Sequence, residues 1–386
     1  MTAHTETTGS EIETSNPKNQ TTDIILRIIA VFLLLFVFLV GVKVLGGSFK
    51  LMGGGFAKGL LNVTSNPLLG LFSGMFATVL IQSSSVTTSL VVGLVASGTL
   101  PLGGAIPMIM GANLGTSVTN TLVSLGYIKN QAHFRDAFAA ATIHDFFNIL
   151  TVLVLLPIEL ATGFLEKSAS YLAALLYGSS SSMSFKSPIK AAIKPFAGGV
   201  KSLVIDILGL SGSMAGIIMA IISAGLIFFA LSMIVKTMKV LVESNKSGII
   251  ENLLAKNGYV AIGFGTLLTI AVQSSSITTS LLVPMAGAGV LSLRAILPVT
   301  IGANIGTTTT ALLASLTGNV AGLSIALVHF LFNVLGMMIW YVNPKLREVP
   351  LRLCESLAGL TYKNRMAGVA YIVGVFFLFP FLFTVL

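Results

Sequence analysis

Nine residues beginning at Gln82 and nine beginning at Gln273 differ only at Val86 against Ile277: Gln-Ser-Ser-Ser-Val/Ile-Thr-Thr-Ser-Leu. Six beginning at Gly111 and six at Gly302 differ only at Leu114 against Ile305: Gly-Ala-Asn-Leu/Ile-Gly-Thr. Both pairs are separated by 191 positions. These motifs are rich in hydroxyls and amides and contain no lysine or arginine. Such groups can surround an oxyanion or replace the water around a hard cation, but they supply no compensating charge. An anion held by them would need a bound cation beside it, which is a physical reason for coupling the two.

The Gln-Ser-Ser-Ser copies suit the anion. If the chain turns there and a helix restarts at the serines, that helix presents free N–H groups and its positive dipole end at the turn. Ser83, Ser84 and Ser85, with Ser274, Ser275 and Ser276, are therefore the candidate ligands of a tetrahedral oxyanion. The plainer reading is that small hydroxyl residues let helices pack closely and bond back to their own backbone. One cluster alone favours the plainer reading, and near-identical duplication favours a site.

The Gly-Ala-Asn copies suit the cation. Gly111 and Gly115 weaken a helix, and unwinding there would free carbonyl oxygens beside Asn113, Thr116 and Ser117. Asn304, Thr307 and Thr308 stand in the second copy. With Gln82 and Gln273, these are candidates to ligate Na+ or to orient the site. A small-xxx-small packing face through the glycines is equally compatible. His144 and Asn148 recur as His329 and Asn333, whereas Asp145 is answered by Phe330. Structural hydrogen bonding is the reading for both histidines, and cation binding for the unduplicated carboxylate of Asp145.

Positioning these groups is the work of an all-α polytopic membrane protein. The chain is 54% hydrophobic and 9% charged, and the run from Ile24 to Leu45 is nearly free of charge. That run follows a polar tail and is read as a span, not a signal peptide. Spans are expected near 24–46, 101–126, 134–158, 214–236, 295–317, 321–343 and 366–386. Residues 67–98 and 258–291 are too long for one span and too short for two, so each is expected to be a re-entrant helical hairpin with its serines at the tip. Each unit then crosses the membrane three times, and an odd count makes the second unit inverted. The organisation is a disordered tail 1–23, repeat 1 over 24–158 (hairpin 67–98, broken helix 101–126), a connecting loop 159–213, repeat 2 over 214–343 (hairpin 258–291, broken helix 295–317), and 344–386 as a loop with a final transmembrane helix.

The formal charge is +9, but its lysines and arginines sit mostly in short loops, so membrane lipid and topology explain them and nucleic acid does not. Most inner loops are basic with the N-terminus cytoplasmic; the connector, carrying Lys167, Lys186, Lys190, Lys194 and Lys201, runs against that orientation. Cys354 is the only cysteine, which rules out an intrachain disulfide.

On the paired Gln-Ser-Ser-Ser, the paired Gly-Ala-Asn-x-Gly-Thr, Ile143-His144-Asp145-Phe146-Phe147-Asn148 and Arg294-Ala295-Ile296-Leu297-Pro298, the chain resembles the type II sodium-dependent inorganic phosphate cotransporters over roughly 24–386. The resemblance implies a bacterial member that imports inorganic phosphate with Na+ by alternating access, in the cell's inner (plasma) membrane. It implies no cofactor, with Na+ as the coupling ion, and no enzymatic activity. Ala139, Ala141 and Asp145 match the family's electrogenic pattern, which favours divalent phosphate and gives Asp145 an extra Na+ site. A symporter of another oxyanion such as sulfate or arsenate would use the same scaffold. An intramembrane hydrolase built on a serine with His144 and Asp145, and a channel-like protein, are remoter alternatives.

Overall fold

The computed structural model describes residues 17–178, 188–243 and 257–385, and the described residues contain helices and no strands. Repeat 1 consists of α1 (Pro17–Thr64), α2 (Pro67–Ile81), α3 (Ser84–Ala96), α4 (Leu102–Thr116), α5 (Val118–Ser124) and α6 (Gln131–Thr162). The connector holds α7 (Phe164–Gly178) and α8 (Pro188–Ser202). Repeat 2 consists of α9 (Gly212–Glu243), α10 (Gly258–Val272), α11 (Ser275–Ser280), α12 (Leu282–Gly287), α13 (Leu293–Ser315) and α14 (Val320–Met337). The chain continues through α15 (Pro344–Lys363), α16 (Arg365–Ile372) and α17 (Phe379–Val385). Among the described residues, six helical segments are long and apolar enough to cross a membrane.

The same packing is used twice. A methyl group on Gly74, Gly111 or Gly115 would overlap the Met108, Leu71 or Met75 carbonyl, and one on Gly265, Gly302 or Gly306 would overlap the Val299, Ile262 or Thr266 carbonyl. Every partner in the second set lies 191 positions after its counterpart. The glycines therefore bring α2 onto α4 and α10 onto α13 at backbone contact. α1 lies along α9, with Gly41 on Ser223 and Ile227, and Gly216 on Ser48 and Met52, so the first helices of the two units run antiparallel.

The helix pairs α2–α3 and α10–α12 root at opposite ends of α6, whose 32 residues span about 48 Å at the α-helical rise. Gly103, just after the first pair, faces Glu166 beyond the C-terminus of α6. Gly287, at the end of the second pair, lies on Ala137 and the His133 carbonyl near its N-terminus.

Four expected elements differ from the structure. The second broken helix, 295–317, is continuous as α13, because Gly302 and Gly306 serve close approach to α10 and stay helical. In the first copy the break comes after the glycines, at Ser117 between α4 and α5. The described residues of the connector form α7 and α8, and Phe196 of α8 packs edge-on against Phe36 of α1 at 5.0 Å, giving that helix an apolar surface to fold on. The stretch after 343 is likewise helical, capped by the Asn343 side chain on the Lys345 N–H. Residues 1–16 of the expected tail lie outside the described residues, and from Pro17 the chain is helical.

Candidate functional site: two glutamine corners and a crossed polar network

Gln82 (φ 57°) and Gln273 (φ 56°) are the only non-glycine residues with positive φ among the described residues. Left-handed backbone at a helix end ordinarily selects glycine, and a Cβ there costs roughly 1–2 kcal/mol. Each glutamine offsets this with its own side chain. The Gln82 N–H donates to Thr78 O (2.8 Å) and its side-chain amide to Val79 O (2.5 Å). Its Oε1 accepts from the Thr119 hydroxyl at 3.2 Å. Gln273 repeats all three, with Thr269 O (2.7 Å), Ile270 O (2.6 Å) and the Thr310 hydroxyl (2.9 Å).

Past each corner the helix restarts at the serines, as the motif predicts. Ser83 caps α3 by accepting from the Val86 N–H (3.3 Å), and Ser274 caps α11 by accepting from the Ile277 N–H (3.4 Å). Pro284 offers no N–H to the Ser280 carbonyl, and the second helix is interrupted at Leu281. Ser84, Ser85 and Ser275 are buried, whereas Ser83, Ser274 and Ser276 are half-buried.

The hydroxyls fall into two chemical sets. Thr116 and Thr307 donate back to Ala112 O (2.9 Å) and Ala303 O (3.0 Å), and Ser117 and Thr308 to Leu114 O (3.0 Å) and Ile305 O (2.7 Å). Their protons are committed to the helix and their lone pairs remain, which suits a cation. The hydroxyls of Ser84, Ser85, Ser275 and Ser276 make no hydrogen bond among the described residues, so their protons remain for an anion.

No hydrogen bond joins one serine cluster directly to the other among the described residues; α5 mediates between them. Its Thr119 reaches the Gln82 corner, and its neighbour Asn120 accepts from Thr279 of the second hairpin at 3.0 Å. From Asn120 a chain of donors runs through the core. The Asn120 amide meets His144 Nδ1 at 3.4 Å, and His144 Nε2 meets Asn304 Oδ1 at 2.6 Å. Asn304 Nδ2 donates to Asn148 Oδ1 at 2.8 Å, and Asn148 Nδ2 to Asn113 O at 3.0 Å. Because Asn304 spends its nitrogen on Asn148, its oxygen must accept, which assigns His144 a proton on Nε2 and none on Nδ1.

The second histidine makes the mirrored contact with less support. His329 Nε2 lies 3.4 Å from Asn113 Oδ1, which Asn333 Nδ2 also approaches at 3.4 Å. His329 Nδ1 and Asn333 Oδ1 are buried without a partner. Two differences between the copies leave them so: Ala311 stands where the first unit has Asn120, and the Asn113 amide donates to Ile109 O rather than to Asn333. Each histidine thus bonds the asparagine of the other unit, so the structural reading of the histidines holds and Asn113 and Asn304 knit the two units together.

Asp145 is 1% exposed, accepts from the Tyr371 hydroxyl on Oδ2 at 3.0 Å, and leaves Oδ1 unpartnered. Sequence reasoning missed Asn120, Thr279 and Tyr371. Thr279 lies in the duplicated serine motif, whereas Asn120, flanked by Thr119 and Thr121, has no partner that a local pattern could show. At the start of α13, Arg294 holds Glu348 of α15 in a two-pronged ion pair (Nη2–Oε2 2.8 Å), and that hydrogen bond keeps the Glu348 carboxyl below its usual range. Burial pushes the Cys354 thiol up to about 12.

A polytopic helical membrane protein with paired polar corners is the class these elements define. Residues 37–181 and 226–362 match the Na+/Pi-cotransporter family, and the chain belongs to it. It is 34% identical to the sodium-dependent phosphate transport protein 2B of Pongo abelii, over 92% of this chain and 64% of that protein. The sodium-dependent phosphate transport proteins 2A of Rattus norvegicus and Ovis aries are 34% and 35% identical, over 90% of this chain and 65% of each. The chain thus spans about two thirds of the length of these relatives. No solved structure matches it.

Proposed function

We propose that the protein is a secondary active symporter that imports inorganic phosphate with Na+ by alternating access; its relatives are named sodium-dependent phosphate transport proteins. The observation that carries this reading is the separation of hydroxyls into proton-spent and proton-free sets beside two equivalent corners. Phosphate takes the serine protons of Ser83, Ser84, Ser85, Ser274, Ser275 and Ser276, with the N–H groups that begin α3. Na+ takes lone pairs of Thr116, Ser117, Thr307 and Thr308 and the carboxylate of Asp145, supplying the charge the serines lack. Gln82, Gln273, Asn113 and Asn304 orient the two sets.

The hairpins are re-entrant and the repeats inverted in this reading, supported by the antiparallel α1 and α9 and by the hairpin roots at opposite ends of α6. The N-terminus is cytoplasmic in the inner membrane. That places basic Lys345, Arg347 and Arg352 inside, together with the Arg294–Glu348 pair. That Gln82 is exposed while Gln273 is 9% exposed supports a reading in which the first corner is the open one of two alternating states. An ionised Asp145 makes transport electrogenic and favours divalent phosphate.

³²P-phosphate uptake into proteoliposomes tests this, with Na+ or K+ outside and with or without an inside-negative potential. Accumulation that needs Na+ and rises with the potential is expected. Na+ dependence without potential dependence removes the electrogenic part. Folded protein that accumulates sulfate or arsenate but no phosphate overturns the choice of anion.

A further inference from the structure

Asp145 has no counterpart in the second unit, where Phe330 stands. Its partner also comes from an element without a counterpart. Tyr371 lies on α16, after both units and outside the residues that match the family. Its hydroxyl donates to Asp145 Oδ2 at 3.0 Å, while Oδ1 makes no hydrogen bond of standard geometry among the described residues and has the Ser117 side chain beside the carboxylate. The Tyr371 ring sits edge-on to Phe138 at 6.0 Å and to Phe376 at 6.2 Å, which fixes the plane from which the hydroxyl projects. Beyond the tyrosine, Val375, Phe376 and Phe379 wall a cavity of about 250 Å³ in which Asp145 and Ser117 are the only polar lining side chains. A wall of that composition offers a hydrated cation no polar partner on that side.

We infer that Tyr371 is a positioning residue for a cation at Asp145, and that the final helix thereby belongs to the ion site. The tyrosine occupies Oδ2 and fixes the carboxylate plane, leaving Oδ1 as the ligand oxygen. This rests on the reading of Asp145 as a Na+ ligand. Removing a partner that orients a metal ligand typically weakens the ion by about 10–100-fold.

The test is the Na+ activation of phosphate uptake in proteoliposomes by wild type, Tyr371→Phe, Asp145→Asn and the double variant. Tyr371→Phe keeps the ring packing and is expected to raise half-activating Na+ about tenfold. The phosphate KM at saturating Na+ should not move, and the substitution should add nothing in the Asp145→Asn background. Phe381→Ala, which loosens the final helix from Phe76 without lining the cavity at Asp145, should leave Na+ activation unchanged. A shift in Asp145→Asn without one in Tyr371→Phe overturns the inference about Tyr371. So does an equal shift in Phe381→Ala, which would mean that the helix acts through packing. Unchanged Na+ activation in Asp145→Asn overturns the underlying reading of Asp145 itself.

Discussion

His144 Nε2 lies 2.6 Å from Asn304 Oδ1, 160 residues further along the chain and in the other repeat unit. The mirrored contact, His329 to Asn113, is looser at 3.4 Å. The two units are therefore bound through a shared core whose halves differ in completeness, and equivalent substitutions should have unequal effects.

Asn148→Ala should be the costlier of one such pair. It removes an acceptor for Asn304 and a donor to Asn113 O, stranding buried groups at about 1–3 kcal/mol each. Asn333→Ala loses a donor to His329 O but also deletes an oxygen that already lacks a partner, so its cost should be smaller. Thermal midpoints in detergent should rank wild type above Asn333→Ala above Asn148→Ala; equal midpoints would mean that the donor chain contributes nothing.

At the first corner, backbone and side-chain roles separate. Gln82→Gly relieves the left-handed strain but loses the contacts with Val79 O and Thr119. Gln82→Val loses them and adds a β-branched residue at φ 57°. Phosphate KM is expected to rise about tenfold in Gln82→Ala, the size of one lost hydrogen bond to a site-ordering group. Protein yield should fall most in Gln82→Val. A Gln82→Val protein that matches wild type in both readouts would show that the corner is not maintained in the membrane.

Glycine substitutions test the duplicated packing. Gly111→Ala and Gly302→Ala place a methyl on the Leu71 and Ile262 carbonyls, whereas nothing lies within 4 Å of such a methyl at Gly126. The first two should abolish folded protein on size-exclusion chromatography and Gly126→Ala should behave as wild type. Full yield of Gly111→Ala would contradict the backbone contact of α2 with α4.

The buried thiol of Cys354, with its pKa pushed up to about 12, stays protonated at pH 7.5 and inert to maleimide. Single cysteines can therefore be read in the natural chain. Gln82→Cys should label readily and Gln273→Cys slowly, since the first position is exposed and the second is buried. Conditions that favour the opposite state should reverse the order. Equal rates under all conditions would remove the asymmetry from the transport cycle.

The corners were legible because duplicated serines after a polar turn leave a helix few other places to start. The span pattern was legible because hydrocarbon demands long apolar runs. The glycines were not: a small residue in a helix allows unwinding or close approach, and only the carbonyls of Leu71 and Ile262 lying against them decide for approach. Asn120 and Thr279 lie 159 residues apart, and no local pattern ties them. Tyr371 carried no signal at all, since a tyrosine in a final span reads as an interfacial residue.

Equilibrium binding of ³²P-phosphate to the purified protein, in Na+ and in K+, most directly tests the claim that the serine corners hold the anion. Wild type should bind in Na+ and not in K+, and Ser85→Ala with Ser275→Ala in one chain should abolish binding while the thermal midpoint stays unchanged. Undiminished Na+-dependent binding by that folded double variant would contradict the account.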